Sequence, residues 1–148
     1  MDARTSYRES SVRGASPVRL VISLYEQAID DLRRAVISLE KGDIENRTRE
    51  INHALLVIAQ LQGSLDMERG GDVAKNLARF YNLVRSGLTE AQFKQSSTLL
   101  QQQISQLVEV HEAWIEVERA TVLPQSPSER SQAHAPSASE TSGANWNA

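Results

Sequence analysis

The chain of 148 residues contains no cysteine, and this absence removes several classes of protein at once. Without thiols it cannot form a disulfide framework, a thiolate metal site or a cysteine nucleophile. Charge of neither sign dominates, because 16 basic residues stand against 19 acidic ones and the two signs are interspersed along the chain. Nucleic acid and anionic membrane surfaces are therefore poor candidate partners.

Long hydrophobic runs are also lacking. No stretch approaches the ~20 apolar residues that a membrane-spanning helix requires, and residues 1–7 contain no apolar signal-peptide core. We therefore expect a soluble, cytoplasmic protein without membrane insertion, and a length of this order fits a single domain.

The sequence does contain helical periodicity. Apolar residues recur every three or four positions in four segments, and no segment alternates like a strand over more than a few residues. The first helix should begin at Ser16-Pro17, because serine caps helices and proline suits the first helical position. Gly42 predicts the end of this helix, and Asp43 predicts the cap of the second.

The remaining helix boundaries depend on glycine and serine. Gly70-Gly71 predicts a break at which the chain reverses, with Asp72 capping the third helix, because each glycine costs a helix interior roughly 1 kcal/mol relative to alanine. Gly87 either ends the third helix or lies inside it, and we expect it inside. Ser96 or Ser97 should cap the fourth helix.

Four helices joined by short connections predict an all-α fold, an antiparallel four-helix bundle. We assign the bundle to residues 16–122, a flexible N-terminal arm to residues 1–15 and a disordered tail to residues 123–148. From Pro124 onward the chain has no valine, isoleucine, leucine, methionine or phenylalanine, so it buries too little surface to offset the entropy of ordering. Trp146 lies near the end of this polar segment.

One pair of residues has both a chemical and a structural interpretation. Glu50 and His53, three apart on a helix, have the spacing of a di-iron ligand pair. A complete site of that kind needs the pair twice, and the surroundings of the other histidines do not supply it, so a solvated or locally bonded His53 is favoured. No catalytic constellation or cofactor motif is present. The sequence therefore indicates a binding module without metal or cofactor rather than an enzyme.

An ordered set of short motifs adds a family resemblance. The set consists of Ser16-Pro17 with Leu20 and Leu24-Tyr25-Glu26-Gln27-Ala28-Ile29, Glu40-Lys-Gly42-Asp43, Leu65-Asp-Met-Glu68 before Gly70-Gly71, Ala74-Lys-Asn76-Leu77 with Phe80-Tyr81, and Glu112-Ala113-Trp114. In order and spacing it resembles the flagellin export chaperones of the FliS family, over roughly residues 7–118.

The resemblance implies the same four-helix fold and a concrete function. A protein of this kind is an ATP-independent chaperone that binds the disordered C-terminal segment of flagellin in the cytoplasm. It prevents premature polymerisation and delivers flagellin to the export gate of the flagellar type III apparatus. The alternative hypothesis is a helical adaptor that sequesters a transcription or secretion regulator on the same groove. A homodimer is left open.

Candidate flagellin-binding residues follow from the apolar pattern together with the resemblance. They are Leu20, Leu24 and Tyr25 of the first helix, Ile58, Leu61 and Leu65 of the second, and Asn76, Leu77, Phe80, Tyr81 and Val84 of the third. Several of these residues must belong to the core instead, and helical periodicity does not distinguish core residues from binding residues.

Three polar or terminal positions keep two interpretations each. Asn76 either hydrogen-bonds the backbone of the preceding turn or, as the resemblance suggests, lies at the edge of the groove. Tyr7 and Val12 are either exposed on a flexible arm or fold back as a removable cover over apolar surface. The resemblance favours the cover.

Overall fold

The computed structural model describes residues 16–122, which form four helices and, within that range, no strand. These are α1 (Pro17–Glu40), α2 (Ile44–Gly63), α3 (Met67–Lys94) and α4 (Ser97–Val122). Each helix packs against the next one in the chain, and α4 packs back against α1. Short connections make neighbouring helices antiparallel. The predicted all-α four-helix bundle is confirmed.

The predicted arm at residues 1–15 and the predicted tail at residues 123–148 lie outside the described residues, so the division into arm, bundle and tail stays a prediction. None of the helices in the described part of the chain combines the length and hydrophobicity needed to cross a membrane.

Local side-chain chemistry starts three of the helices where the sequence predicts. The Ser16 hydroxyl accepts the Arg19 amide at 3.3 Å ahead of Pro17, and the Asp43 carboxylate accepts the Asn46 amide at 3.1 Å. Gly42 has φ +74°, the left-handed conformation that lets the chain turn out of α1. Ser96, the first of the two predicted serines, accepts the Leu99 amide at 3.1 Å.

The reversal predicted at Gly70-Gly71 is wrong. The chain turns earlier, because α2 ends at Gly63 and Asp66 caps α3. One carboxylate oxygen of Asp66 accepts the amides of both Glu68 and Arg69, at 3.1 and 3.0 Å, which gives α3 a start ahead of the glycines. Gly71 instead forms a kink inside α3, with φ 53° and ψ −129°.

Gly87 lies inside α3, as predicted, and the packing of α3 against α4 explains why a glycine stands there. A Cβ atom at this position would lie 2.3 Å from Nε2 of Gln103 on α4. The missing side chain thus allows the two helices to approach closely.

Apolar side chains from all four helices form one core. Its largest fully buried members are Ile22, Tyr25 and Leu32 of α1, Ile51, Ile58 and Leu61 of α2, Tyr81, Val84 and Leu88 of α3, and Leu100 and Leu107 of α4. Three polar side chains, those of Asp31, Arg47 and Gln103, are buried with them.

Candidate functional site

An apolar groove opens at the end of the bundle where α1 begins and α2 turns into α3. It encloses about 180 Å³. Its lining consists of Pro17, Leu20, Val21 and Leu24 from α1, Gln60, Leu61, Ser64 and Leu65 from α2 and the turn after it, Val73, Ala74, Leu77 and Tyr81 from α3, and Trp114 from α4. We call this the end groove, and the end of the bundle that contains it the open end.

The residues of the groove walls lie on one face of each helix because of their spacing along the chain. Leu20 and Leu24 lie four apart on α1, and Val73 and Leu77 lie four apart on α3, so each pair lies on one face of its helix. The described helices leave these leucines half-exposed, whereas Leu61 and Tyr81 are only 1% exposed and form the floor. The groove therefore has a packed base and half-exposed apolar sides.

Tyr81 of the floor forms a pair with Tyr25, which is buried in the core and does not line the groove. The Tyr25 hydroxyl of α1 donates to the Tyr81 hydroxyl of α3 at 2.9 Å, and the ring centroids lie 6.2 Å apart. Burial raises the pKa of Tyr81 to about 12, although the hydrogen bond from Tyr25 acts in the opposite direction. Burial also raises the pKa of Tyr25, which contact with Tyr81 raises further and a hydrogen bond with Trp114 lowers. Both hydroxyls therefore stay protonated at neutral pH and join two non-adjacent helices.

A salt bridge closes the side of the open end between α1 and α4. The Arg19 guanidinium donates from Nε and one terminal nitrogen to the two oxygens of Glu118, at 2.7 and 2.5 Å. This hydrogen bonding lowers the pKa of Glu118 and raises the pKa of Arg19. The first turn of α1, which supplies Pro17 and Leu20 to the groove, is thereby fixed to α4.

The structure sorts the eleven predicted binding residues by position. Those that line the end groove are Leu20, Leu24, Leu61, Leu65, Leu77 and Tyr81. Tyr25, Ile58 and Val84 are fully buried in the core and do not line it. Phe80 is half-buried against the core with its ring centroid 5.8 Å from that of Tyr81, and Asn76 is exposed on α3. The role of this set in binding stays a prediction.

Asn76 does not make the backbone hydrogen bond that its structural interpretation predicts. Its side-chain oxygen instead accepts from the guanidinium of Arg79 at 3.4 Å, on the outer surface of α3. Tyr7 and Val12, the residues of the predicted cover, lie outside the part of the chain that the structure describes.

The predicted set lacks seven of the lining residues, and the sequence carries a signal for two of these, Val73 and Trp114. The other five are Pro17, Val21, Gln60, Ser64 and Ala74. Val73 lies one helical turn before Leu77 on the same apolar stripe of the third helix. Trp114 is the large aromatic side chain of α4 and belongs to the apolar repeat of that helix. Its contact with a groove formed mainly by three other helices depends on tertiary packing.

The residues weighed as a metal site are bound to other partners. His53 Nδ1 lies 2.5 Å from a carboxylate oxygen of Asp31. The guanidinium of Arg34 donates one hydrogen bond to Asp31, at 2.6 Å, and another to Glu50, at 3.2 Å. The locally bonded His53 is thus the interpretation that the structure confirms. Among residues 16–122, no group of three or more histidine and carboxylate side chains is placed to hold a metal ion.

Comparison with known proteins gives a consistent result across the bundle. A family model described as "Flagellar protein FliS" matches residues 1–121. The chain is 31% identical over 109 residues to the flagellar secretion chaperone FliS of Vibrio cholerae, covering 74% of this chain and 80% of that protein. It is similar to the flagellar secretion chaperone FliS of Salmonella typhimurium, at 31% over 110 residues (74% and 82%), and to FliSB of Pseudomonas aeruginosa, at 33% over 106 residues (72% and 84%).

Proposed function

The chain belongs to the FliS family of flagellar secretion chaperones, and from this premise we propose that it binds the disordered C-terminal segment of flagellin in the cytoplasm. Binding keeps the segment from polymerising before export, and the chaperone then delivers flagellin to the export gate of the flagellar type III apparatus. The proposed role is one of binding and release, without a catalytic step or a nucleotide.

The observation that carries this proposal is the end groove. Leucine side chains at positions 20, 24, 65 and 77 stand half-exposed around it on three different elements. An amphipathic segment with apolar residues at helical spacing can bury them, because its apolar face repeats every three or four residues. A client that is disordered before binding gains helical structure as it covers this surface, at the expense of chain entropy.

Within the predicted set we assign two roles. The residues that line the groove contact the client, with Phe80 and Asn76 next to it on α3. The buried residues Tyr25, Ile58 and Val84 act indirectly, by holding α1, α2 and α3 at the separation that keeps the groove open.

The N-terminal residues provide the cover in this proposal. Residue 15 precedes Ser16, and Pro17 lines the groove, so the segment that carries Tyr7 and Val12 starts directly at the groove wall. We propose that these two side chains cover the apolar surface until flagellin displaces them.

Titration calorimetry with a synthetic peptide of the C-terminal segment of flagellin from the same organism tests the proposal. We expect one-to-one binding with a negative heat-capacity change, because apolar surface is buried, and a scrambled peptide of the same composition should not bind. Tyr7→Ala should bind more tightly than the parent chain. Absence of binding by both proteins would contradict the chaperone proposal and favour the adaptor alternative.

A further inference from the structure

We propose that Trp146, near the end of the C-terminal segment, acts as a tethered plug for the end groove when no partner occupies it. The sequence of the segment motivates this inference. Residues 124–148 consist mainly of serine, alanine, proline, glutamine and asparagine, and Trp146 is their single aromatic residue. Asn145 and Asn147 flank it, so one large apolar side chain stands alone on a long polar chain.

The helix that precedes this segment ends at the same end of the bundle as the groove. α4 ends at Val122 at the open end of the bundle, and Trp114, which lines the groove, precedes Val122 by eight positions on that helix. Eight residues of helix correspond to about 12 Å. Residues 123–145 number 23, and a polar random coil of that length has a root-mean-square span of about 25–30 Å. The tether is therefore long enough to reach the groove, and short enough to hold Trp146 at a local concentration on the order of millimolar.

The groove also suits an indole ring in size and chemistry. A volume of about 180 Å³ is large enough for one large aromatic side chain. The walls are mostly apolar, and the lining includes the exposed Gln60, whose side-chain amide oxygen can accept a hydrogen bond from an indole N–H. A buried tryptophan usually needs such a partner for its single donor. Trp146 would therefore compete with the proposed Tyr7 cover, and each would occupy the groove for part of the time when no client is bound.

The plug has a consequence for binding that depends on the proposed function. Because a tethered side chain occupies the groove for part of the time, the apparent affinity for any client of the groove falls by the fraction occupied. A single residue held by a flexible tether gives a modest effect. We expect roughly a threefold weakening relative to a chain without the plug.

A first experiment detects the plug without any client. The full chain labelled with 5-fluorotryptophan has two fluorine NMR signals, from Trp114 and Trp146, which Trp146→Phe assigns. We expect the Trp146 signal to differ from that of the isolated peptide 123–148 and to show a smaller H2O-to-D2O solvent shift. Leu77→Asp, in the groove wall, should move it to the peptide position, and so should Leu20→Asp, whereas Phe93→Asp at the opposite end of the bundle should leave it unchanged. Circular dichroism confirms that each variant is folded. A Trp146 signal identical to that of the peptide in the parent chain would overturn the proposal.

A second experiment tests the competition. Trp146→Ala should strengthen binding of the flagellin peptide about threefold, whereas the neighbouring control Asn145→Ala should not. Equal affinity of the parent chain and Trp146→Ala would overturn the competitive role. Since the fluorine measurement contains no flagellin, failure of the plug and failure of the proposed function give different patterns of results.

Discussion

The two ends of the bundle pack in opposite ways. At the open end, apolar side chains of α1, α3 and the α2–α3 turn stand half-exposed around a groove. The closed end, where α1 turns into α2 and α3 turns into α4, buries polar side chains instead. Arg47 in the first turns of α2 and Gln103 near the start of α4 are each 7% exposed. Within residues 16–122, Arg47 Nε, Gln92 Oε1 and Gln103 Oε1 are buried without a hydrogen-bond partner.

This difference indicates where binding energy is available. An unpaired buried polar group costs about 1–3 kcal/mol, so the polar side chains buried at the closed end reduce stability there. Apolar side chains are also exposed at this end, among them Ile44 and Phe93. Half-exposed leucines at the open end gain about 25 cal/mol for each Å² that a partner covers. The exposed apolar side chains of the closed end do not line the end groove, where several partly buried leucines face one cavity. We therefore expect partner binding at the open end, and the following changes test the contrast.

The largest expected effect is a difference in stability between two substitutions on α3, one in the core and one in the groove wall. Val84 is fully buried, so Val84→Asp places an unpaired carboxylate in the core and should lower the free energy of unfolding by more than about 3 kcal/mol. Leu77→Asp, two turns earlier, can turn its carboxylate to solvent and should cost about 1–2 kcal/mol. Urea denaturation measures both. Equal losses would show that Leu77 belongs to the core as fully as Val84 does.

Alkaline pH should weaken the tyrosine pair beside the groove. The raised pKa values of Tyr25 and Tyr81 mean that the folded state keeps protons that the unfolded chain loses near pH 10. This stabilisation is complete below pH 10 and is lost as pH rises towards 12, at about 1.4 kcal/mol per pH unit for one group. The free energy of unfolding should therefore fall by roughly 2 kcal/mol for each tyrosine over that range, or about 4 kcal/mol for the pair.

The pH effect has a direct control in the third tyrosine of the chain. Tyr25→Phe/Tyr81→Phe should flatten the alkaline part of the stability profile, while Tyr7→Phe should retain the fall. A fall of the same size in the double variant would assign it to other groups.

A smaller effect should appear on the closed half of the bundle, between α3 and α4. Alanine in a helix interior stabilises the helix by about 1 kcal/mol relative to glycine. A Cβ atom at position 87, however, collides with the side-chain amide of Gln103. Gly87→Ala should therefore stabilise the protein by about 1 kcal/mol in a Gln103→Ala background and give less than half of that gain in the parent chain. Additive effects in the double-mutant cycle would show that the Gln103 side chain moves away at no cost.

Most of the helix boundaries could be predicted because their causes are local. Ser16, Asp43 and Ser96 each cap a helix through bonds to amides three residues ahead. The turn between α2 and α3 was misplaced because two glycines are a strong break signal. Asp66 supplies two cap bonds one turn earlier, and the non-helical dihedral angles of Gly71 form a kink within α3 instead of a reversal.

The groove could be predicted only in part, for a geometric reason. Periodicity places Leu77, Tyr81 and Val84 on one apolar side of α3, but neighbouring helices decide which of them is covered. Tyr81 forms the floor, Val84 lies in the core and Leu77 remains half-exposed. Trp114 joins the groove from α4, and no pattern along the chain links it to α1 or α3.

The affinity of the flagellin C-terminal peptide for two matched variants of α3 tests the central claim most directly. Leu77→Asp changes the groove wall at the open end, and Phe93→Asp changes a side chain that is 85% exposed at the closed end. We predict that calorimetry shows a loss of at least tenfold for Leu77→Asp, about 1.4 kcal/mol, and a change within about twofold for Phe93→Asp. Equal losses, or a larger loss for Phe93→Asp, would contradict the assignment of client binding to the open end.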